Sequence, residues 1–146
     1  MSLKKGLVLD LDISSEGLQG TTKFKDKTPY ENNGTLSNVT LTTDHKGKAN
    51  SAGLFNGTSS YIDCGNGTGL QIAEEITLSA WVKFNDRTKE NQKIVGKSDV
   101  VTDERGFFLR YRSTIAGVRM WVGDGTSRMY TDCGGVFNND TWYHVV

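Results

Sequence analysis

The 146 residues hold 17 Lys and Arg against 17 Asp and Glu, a formal net charge of +0, so no excess of cations is available for general nucleic-acid binding. Hydrophobic residues make up 36% and charged residues 23%, spread along the whole length, which excludes a disordered chain. One domain over residues 1–146 is expected, burying about 68–70% of the surface its unfolded chain would expose, and no apolar run approaches the ~20 residues of a membrane helix.

Ahead of Leu7 there is no apolar stretch of the ~7–15 residues that a secretion signal needs. Leu7, Leu9, Leu11 and Ile13 then alternate with Val8, Asp10 and Asp12, the period of a strand with one buried face. A polar stretch runs from Ser14 to Lys27. Asn33-Gly34, Asn56-Gly57, Asn66-Gly67 and Asp124-Gly125 read as turns, because Asn, Asp and Gly tolerate positive φ. Short strands fit 52–56 and 60–64, and a helical turn fits 69–75. Ile76, Leu78, Ala80, Val82 and Phe84 alternate with Thr77, Ser79, Trp81 and Lys83 in the clearest strand of the chain. Further strands fit 93–96, 106–112, 118–122, 128–131 and 142–146. Short strands joined by Gly- and Asn-rich turns predict a two-sheet antiparallel β-sandwich or jelly roll. Its expected core is Leu9, Leu11, Phe55, Ile62, Leu78, Ala80, Val82, Leu109, Met120 and Val122.

Cys64 and Cys133, the two cysteines, sit in matching Asp-Cys-Gly contexts. They are too few for a disulfide framework and lack the spacing of a zinc site, which leaves two buried thiols or a single bridge open. His144 alternates with Trp142 and Val146 and reads as a hydrogen-bonded residue of a packed strand. Neither it nor His45 belongs to a nucleophile motif.

The arginines concentrate between Arg105 and Arg128. Alternation puts Phe108, Arg110 and Arg112 on one face of a strand and Phe107, Leu109 and Tyr111 on the other. On the next strand Val118, Met120 and Val122 face the core, leaving Arg119 and Trp121 outward. If the two strands pair, Arg110, Arg112, Arg119 and Trp121 form a glycan-binding surface. Aromatic faces stack on sugar rings, and guanidinium groups donate hydrogen bonds to hydroxyls or carboxylates. The competing reading is a solvated sheet face with Trp121 packed under a loop. A nucleic-acid role is weaker, since Asp99, Asp103, Glu104 and Asp124 lie among or beside these arginines.

The succession Asn33-Gly34-Thr35-Leu36, Gly53-Leu54-Phe55-Asn56-Gly57, Tyr61-Ile62-Asp63-Cys64-Gly65, Ile76-Thr77-Leu78-Ser79-Ala80-Trp81-Val82 and Trp142-Tyr143-His144-Val145-Val146 resembles the laminin G-like, concanavalin A-like jelly-roll superfamily. The resemblance implies an all-β sandwich and a function among lectins, adhesion modules, spacer domains and glycanases. It also implies strands beyond 142–146, so the expected domain lacks its last strands, to be completed by a downstream segment or a neighbouring subunit of an assembly. It further implies a calcium site near loop positions such as Asp12, Asp26 and Asn33, whose oxygens are of the kind that ion takes.

Glycanases of this fold carry two glutamates and an aspartate alternating along one strand, so that the carboxyls face one cleft. The nearest match, Asp10-Leu11-Asp12-Ile13-Ser14, has Asp at the first two positions and Ser at the third. Glu74 and Glu75 are adjacent, which points them to opposite faces, and Asp103-Glu104 fall in a polar loop. The expected function is therefore a non-enzymatic carbohydrate-binding, adhesion or structural module, with a glycan hydrolase as the lesser alternative. Without a secretion signal, such a module would meet outside glycans on a virion surface, as a decoration or adhesion protein of a virus or phage. The alternative setting is a secreted or cell-surface bacterial adhesion domain. Expected partners are a glycan or cell-surface polysaccharide and other subunits of an assembly, without nucleic acid or membrane insertion.

Overall fold

The structure, a computed structural model, describes residues 6–72, 75–98 and 105–146. Glu74, Asp99, Asp103 and Glu104 lie outside the described residues. The chain packs as two compact units, Met1–Ile76 and Thr77–Val146. Among the described residues no helix is long and apolar enough to cross a membrane.

In the first unit the polar run after Ser14 forms β1 (Leu18–Gln19) and β2 (Lys23–Phe24), followed by β3 (Gly34–Ser37), β4 (Thr40–Thr42), β5 (Ala52–Leu54) and β6 (Tyr61–Asp63). β1, β2, β3 and β6 make an antiparallel sheet in that order, and β4 pairs with β5. The buried ring of Phe24 lies opposite Gly34 in the ladder. A Cβ on Gly34 would sit 2.4 Å from Ile62 Cγ2, so this glycine permits close packing inside a strand and does not make the turn expected of Asn33-Gly34. The reversal comes earlier, at Glu31, whose φ is 53°.

The alternating segment Leu7–Ile13 is not a strand among the described residues. It makes one bridge, Leu11 to Asp26. Its backbone groups are met from a loop instead: Asp10 N–H donates to Asp26 Oδ1, Lys27 N–H donates to Asp10 O, and Asn32 Nδ2 donates to Val8 O. Alternation had specified an extended chain, and a loop rather than a ladder satisfies its polar groups. A 3-10 turn spans Thr68–Leu70, overlapping the helical turn expected at 69–75, part of which lies outside the described residues.

The second unit contains β7 (Ala80–Lys83), β8 (Gln92–Ser98), β9 (Arg105–Arg112), β10 (Gly117–Asp124), β11 (Arg128–Gly134) and β12 (Trp142–Val145). The order is β11-β10-β9-β8 in one antiparallel sheet and β12-β7 in another. Register sets Tyr111 opposite Val118, Leu109 opposite Met120 and Phe107 opposite Val122, so all six share one face. That face packs through Leu109, Tyr111 and Val118 onto Phe84, Phe137 and Val145, with Leu78, Ala80, Val82 and Met120 against the cluster. The Tyr111 ring, 1% exposed, lies 4.7 Å from Phe84 and 5.7 Å from Phe137. Burying side chains of this size stabilises by about 1.5–3 kcal/mol each. The expected core holds at Leu109 and around Leu78, Ala80, Val82 and Met120, while Leu9, Leu11, Ile62 and Val122 are half-buried. Phe55 is a correction: it follows the end of β5 and is 44% exposed.

Candidate functional site

On the other face of β8–β11 the register lays side chains in rows. Lys93 pairs with Arg110, Arg110 with Arg119, and Arg119 with Asp132. The next row runs Gly96, Phe108, Trp121 and Tyr130. Partners directly opposite in an antiparallel ladder share a face, so three cations stand side by side next to three rings. Phe108 and Trp121 stack with centroids 4.9 Å apart and planes 4° from parallel. Lys93 Nζ and Arg110 Cζ lie 5.7 Å and 4.5 Å from the Phe108 centroid, and Arg119 Cζ lies 4.0 Å from that of Tyr130.

Arg119 grips Asp132 with two parallel bonds, Nε to Oδ1 at 2.6 Å and Nη2 to Oδ2 at 2.7 Å. That pairing holds the Asp132 carboxyl below its ordinary pKa and pushes the Arg119 guanidinium up. Arg112, at the end of β9, pairs instead with Glu90, which also accepts from Ser113 Oγ at 2.7 Å.

The expected pairing of the two arginine-bearing strands is present, and Arg110, Arg119 and Trp121 share a face. Trp121 differs from expectation in depth: at 5% exposure, stacked on Phe108, it is part of the floor. The ring open to solvent is Tyr130, 60% exposed, which the sequence reading missed. Alternation along Arg128, Tyr130 and Asp132, once paired across the Asp124-Gly125 turn, is the signal that would have found it.

Asp26 and Asn33 do come together, but through hydrogen bonds. Asn33 Oδ1 accepts from Asp26 N–H at 2.9 Å. The Asp26 carboxylate, 1% exposed, accepts from the backbone N–H groups of Asp10, Thr28 and Asn32 and from the Thr28 hydroxyl. Burial alone would push this carboxyl up; the four donors outweigh it and hold the pKa below the ordinary value. Asp12 pairs with Lys27 Nζ at 2.8 Å. Four donors thus converge on Asp26 and an ammonium on Asp12, and among the described residues no group of three or more His, Cys, Asp or Glu could hold a metal ion. The Asp26 and Asp12 contacts tie the N-terminal segment to the 26–33 loop.

Asp10 and Asp12 lie on the segment that is not a strand, so strand alternation does not align them as a hydrolytic pair. His144 Nε2 lies 2.9 Å from Ser79 Oγ, and its ring stacks on Trp81 at 5.2 Å. Both residues are exposed, and among the described residues no carboxylate hydrogen-bonds the imidazole to complete a triad. Cys64 and Cys133 are both free, and Cys133 is exposed, correcting the reading of two buried thiols.

Residues 56–146 match the family described as the concanavalin A-like lectin/glucanases superfamily, in its laminin G form. Comparison with curated proteins and with solved structures gave no match.

Proposed function

The chain belongs to the concanavalin A-like lectin/glucanase superfamily, and from that premise we propose a non-enzymatic carbohydrate-binding or adhesion module that takes carboxylate-bearing glycans on the arginine face of β8–β11. The observation that carries this reading is the row Lys93–Arg110–Arg119 beside the exposed Tyr130. Like charges directly opposite across strands cost stability. A sheet that keeps three cations in one row, beside an exposed ring, is suited to an anionic ligand. Tyr130 supplies an apolar face for a sugar ring, and the Arg119–Asp132 fork fixes the guanidinium beneath it.

The lesser alternative, a glycan hydrolase, draws support from the superfamily alone. Incubation with a panel of polysaccharides separates the two. The module reading expects retained ligand and no new reducing ends; turnover that disappears in Asp10→Asn or Asp12→Asn overturns it. For the setting we propose display on a virion surface, where many copies turn weak single-site binding into avidity. Purified particles that contain the chain support that setting, and its recovery only from a bacterial cell-surface fraction contradicts it.

A further inference from the structure

The first unit carries an open cleft of about 450 Å³, lined by residues of β2, β3, the 30–33 loop, β6 and the chain after it. Its size lies within the ~300–1,000 Å³ usual for small-molecule sites. Register builds one wall: Lys23 pairs with Thr35, and Thr35 with Asp63, so an ammonium, a hydroxyl and a carboxylate stand in one row across β2, β3 and β6. Thr35 stands between Lys23 and Asp63, with adjacent strands about 4.7–4.9 Å apart. All three side chains are exposed, and Asp63 is oriented by accepting the Gly65 N–H at 2.8 Å.

The opposite element is a ring. Tyr30 lies against Gly69, where an added Cβ would come within 2.7 Å of Cδ1, 3.0 Å of Cγ and 3.1 Å of Cε1. The ring is thus backed by the Gly69 backbone, yet the residue is 52% exposed, so part of it is open to a ligand. The next residue, Glu31, makes the chain reversal and also lines the cleft.

We propose that this cleft is a second binding site, for a neutral saccharide that stacks on Tyr30 and hydrogen-bonds along Lys23, Thr35 and Asp63. Each sugar hydroxyl both donates and accepts, as a row mixing donors and acceptors requires. Glu31 and Asp63 repel phosphates, sulfates and uronates, while Lys23 adds a donor to the row. The site is built wholly from the first unit and the arginine row wholly from the second, so the two readings stand or fall separately.

The test is NMR titration of the full chain with maltotriose, cellotriose and xylotriose, with trigalacturonate as the acidic control. At least one neutral trisaccharide should shift the amides of Tyr30, Thr35 and 63–66. Binding should weaken at least about tenfold in Tyr30→Ala and severalfold in Gly69→Ala, whose new methyl displaces the ring without removing it. Asp63→Asn, which keeps an acceptor for Gly65, should weaken it too. No shift with any neutral probe, equal shifts with trigalacturonate, or undiminished binding by folded Tyr30→Ala and Asp63→Asn overturns the proposal.

Discussion

Glu90 shows how one side chain ties the approach to β8 to the end of β9. It accepts from Ser113 Oγ, Arg112 Nε and Thr114 N–H, and these bonds, with Ser113 the largest influence, pull its carboxyl down to about 2. An unperturbed glutamate titrates near ~4.3, so the folded value is the lower one. Its stabilising contribution is therefore complete above that pH and is lost as pH falls from ~4.3 toward the folded value. Urea midpoints of wild type and Glu90→Gln should differ at pH 7 and converge over that interval; a gap that persists at pH 2 contradicts the assignment. The cysteines give a second residue-scale expectation. Burial, then the charges of Asp63 and Asp26, push the Cys64 thiol up to about 11. The thiolate is the reactive form, so iodoacetamide at pH 8 should label the exposed Cys133 well before Cys64, as read by peptide mass spectrometry. Equal rates would show that the Cys64 environment is wrongly described.

At the scale of elements, β11 holds Tyr130 and Asp132 against the rest of the sheet, and it packs tightly against Gly117 of β10. A Cβ there would meet Cys133 O at 2.4 Å and Gly134 Cα at 2.8 Å, both backbone atoms that cannot swing away. Gly117→Ala should destabilise by about 1–3 kcal/mol through overpacking, seen as a lower urea midpoint, and should weaken acidic-glycan binding by shifting β11. Unchanged stability would mean that the hairpin is looser than described. The β9–β10 pair was legible in the sequence because each strand alternates over eight residues and thereby fixes its faces. β1 and β2 were not legible, since two residues carry no period. Leu7–Ile13 had the period but not the ladder, because the Asp26 carboxylate and Asn32 amide meet its backbone groups. Trp121 marks the same limit at the site: alternation gives the face of a side chain, while its depth depends on the ring stacked against it.

Across the whole molecule the formal charge is +0, so any attraction for an acidic polymer is local to the Lys93–Arg110–Arg119 row. Screening shortens from about 10 Å at 0.1 M salt to about 3 Å at 1 M. Retention of an acidic glycan should accordingly fall with salt, whereas neutral-saccharide binding at the Tyr30 cleft should change little. The core of the second unit is where global stability is expected to be most sensitive. Tyr111→Ala empties a site lined by Phe84, Phe137 and Val118 and should cost about 3–5 kcal/mol in chemical denaturation. The most direct measurement of the central claim is affinity electrophoresis of the full chain through a gel containing polygalacturonate, run beside Tyr130→Ala. The account predicts that polysaccharide retards the wild-type protein and that the variant, equally well folded, runs close to its mobility in a plain gel. Identical migration of the wild type with and without polysaccharide, or equal retardation of the variant, would contradict it.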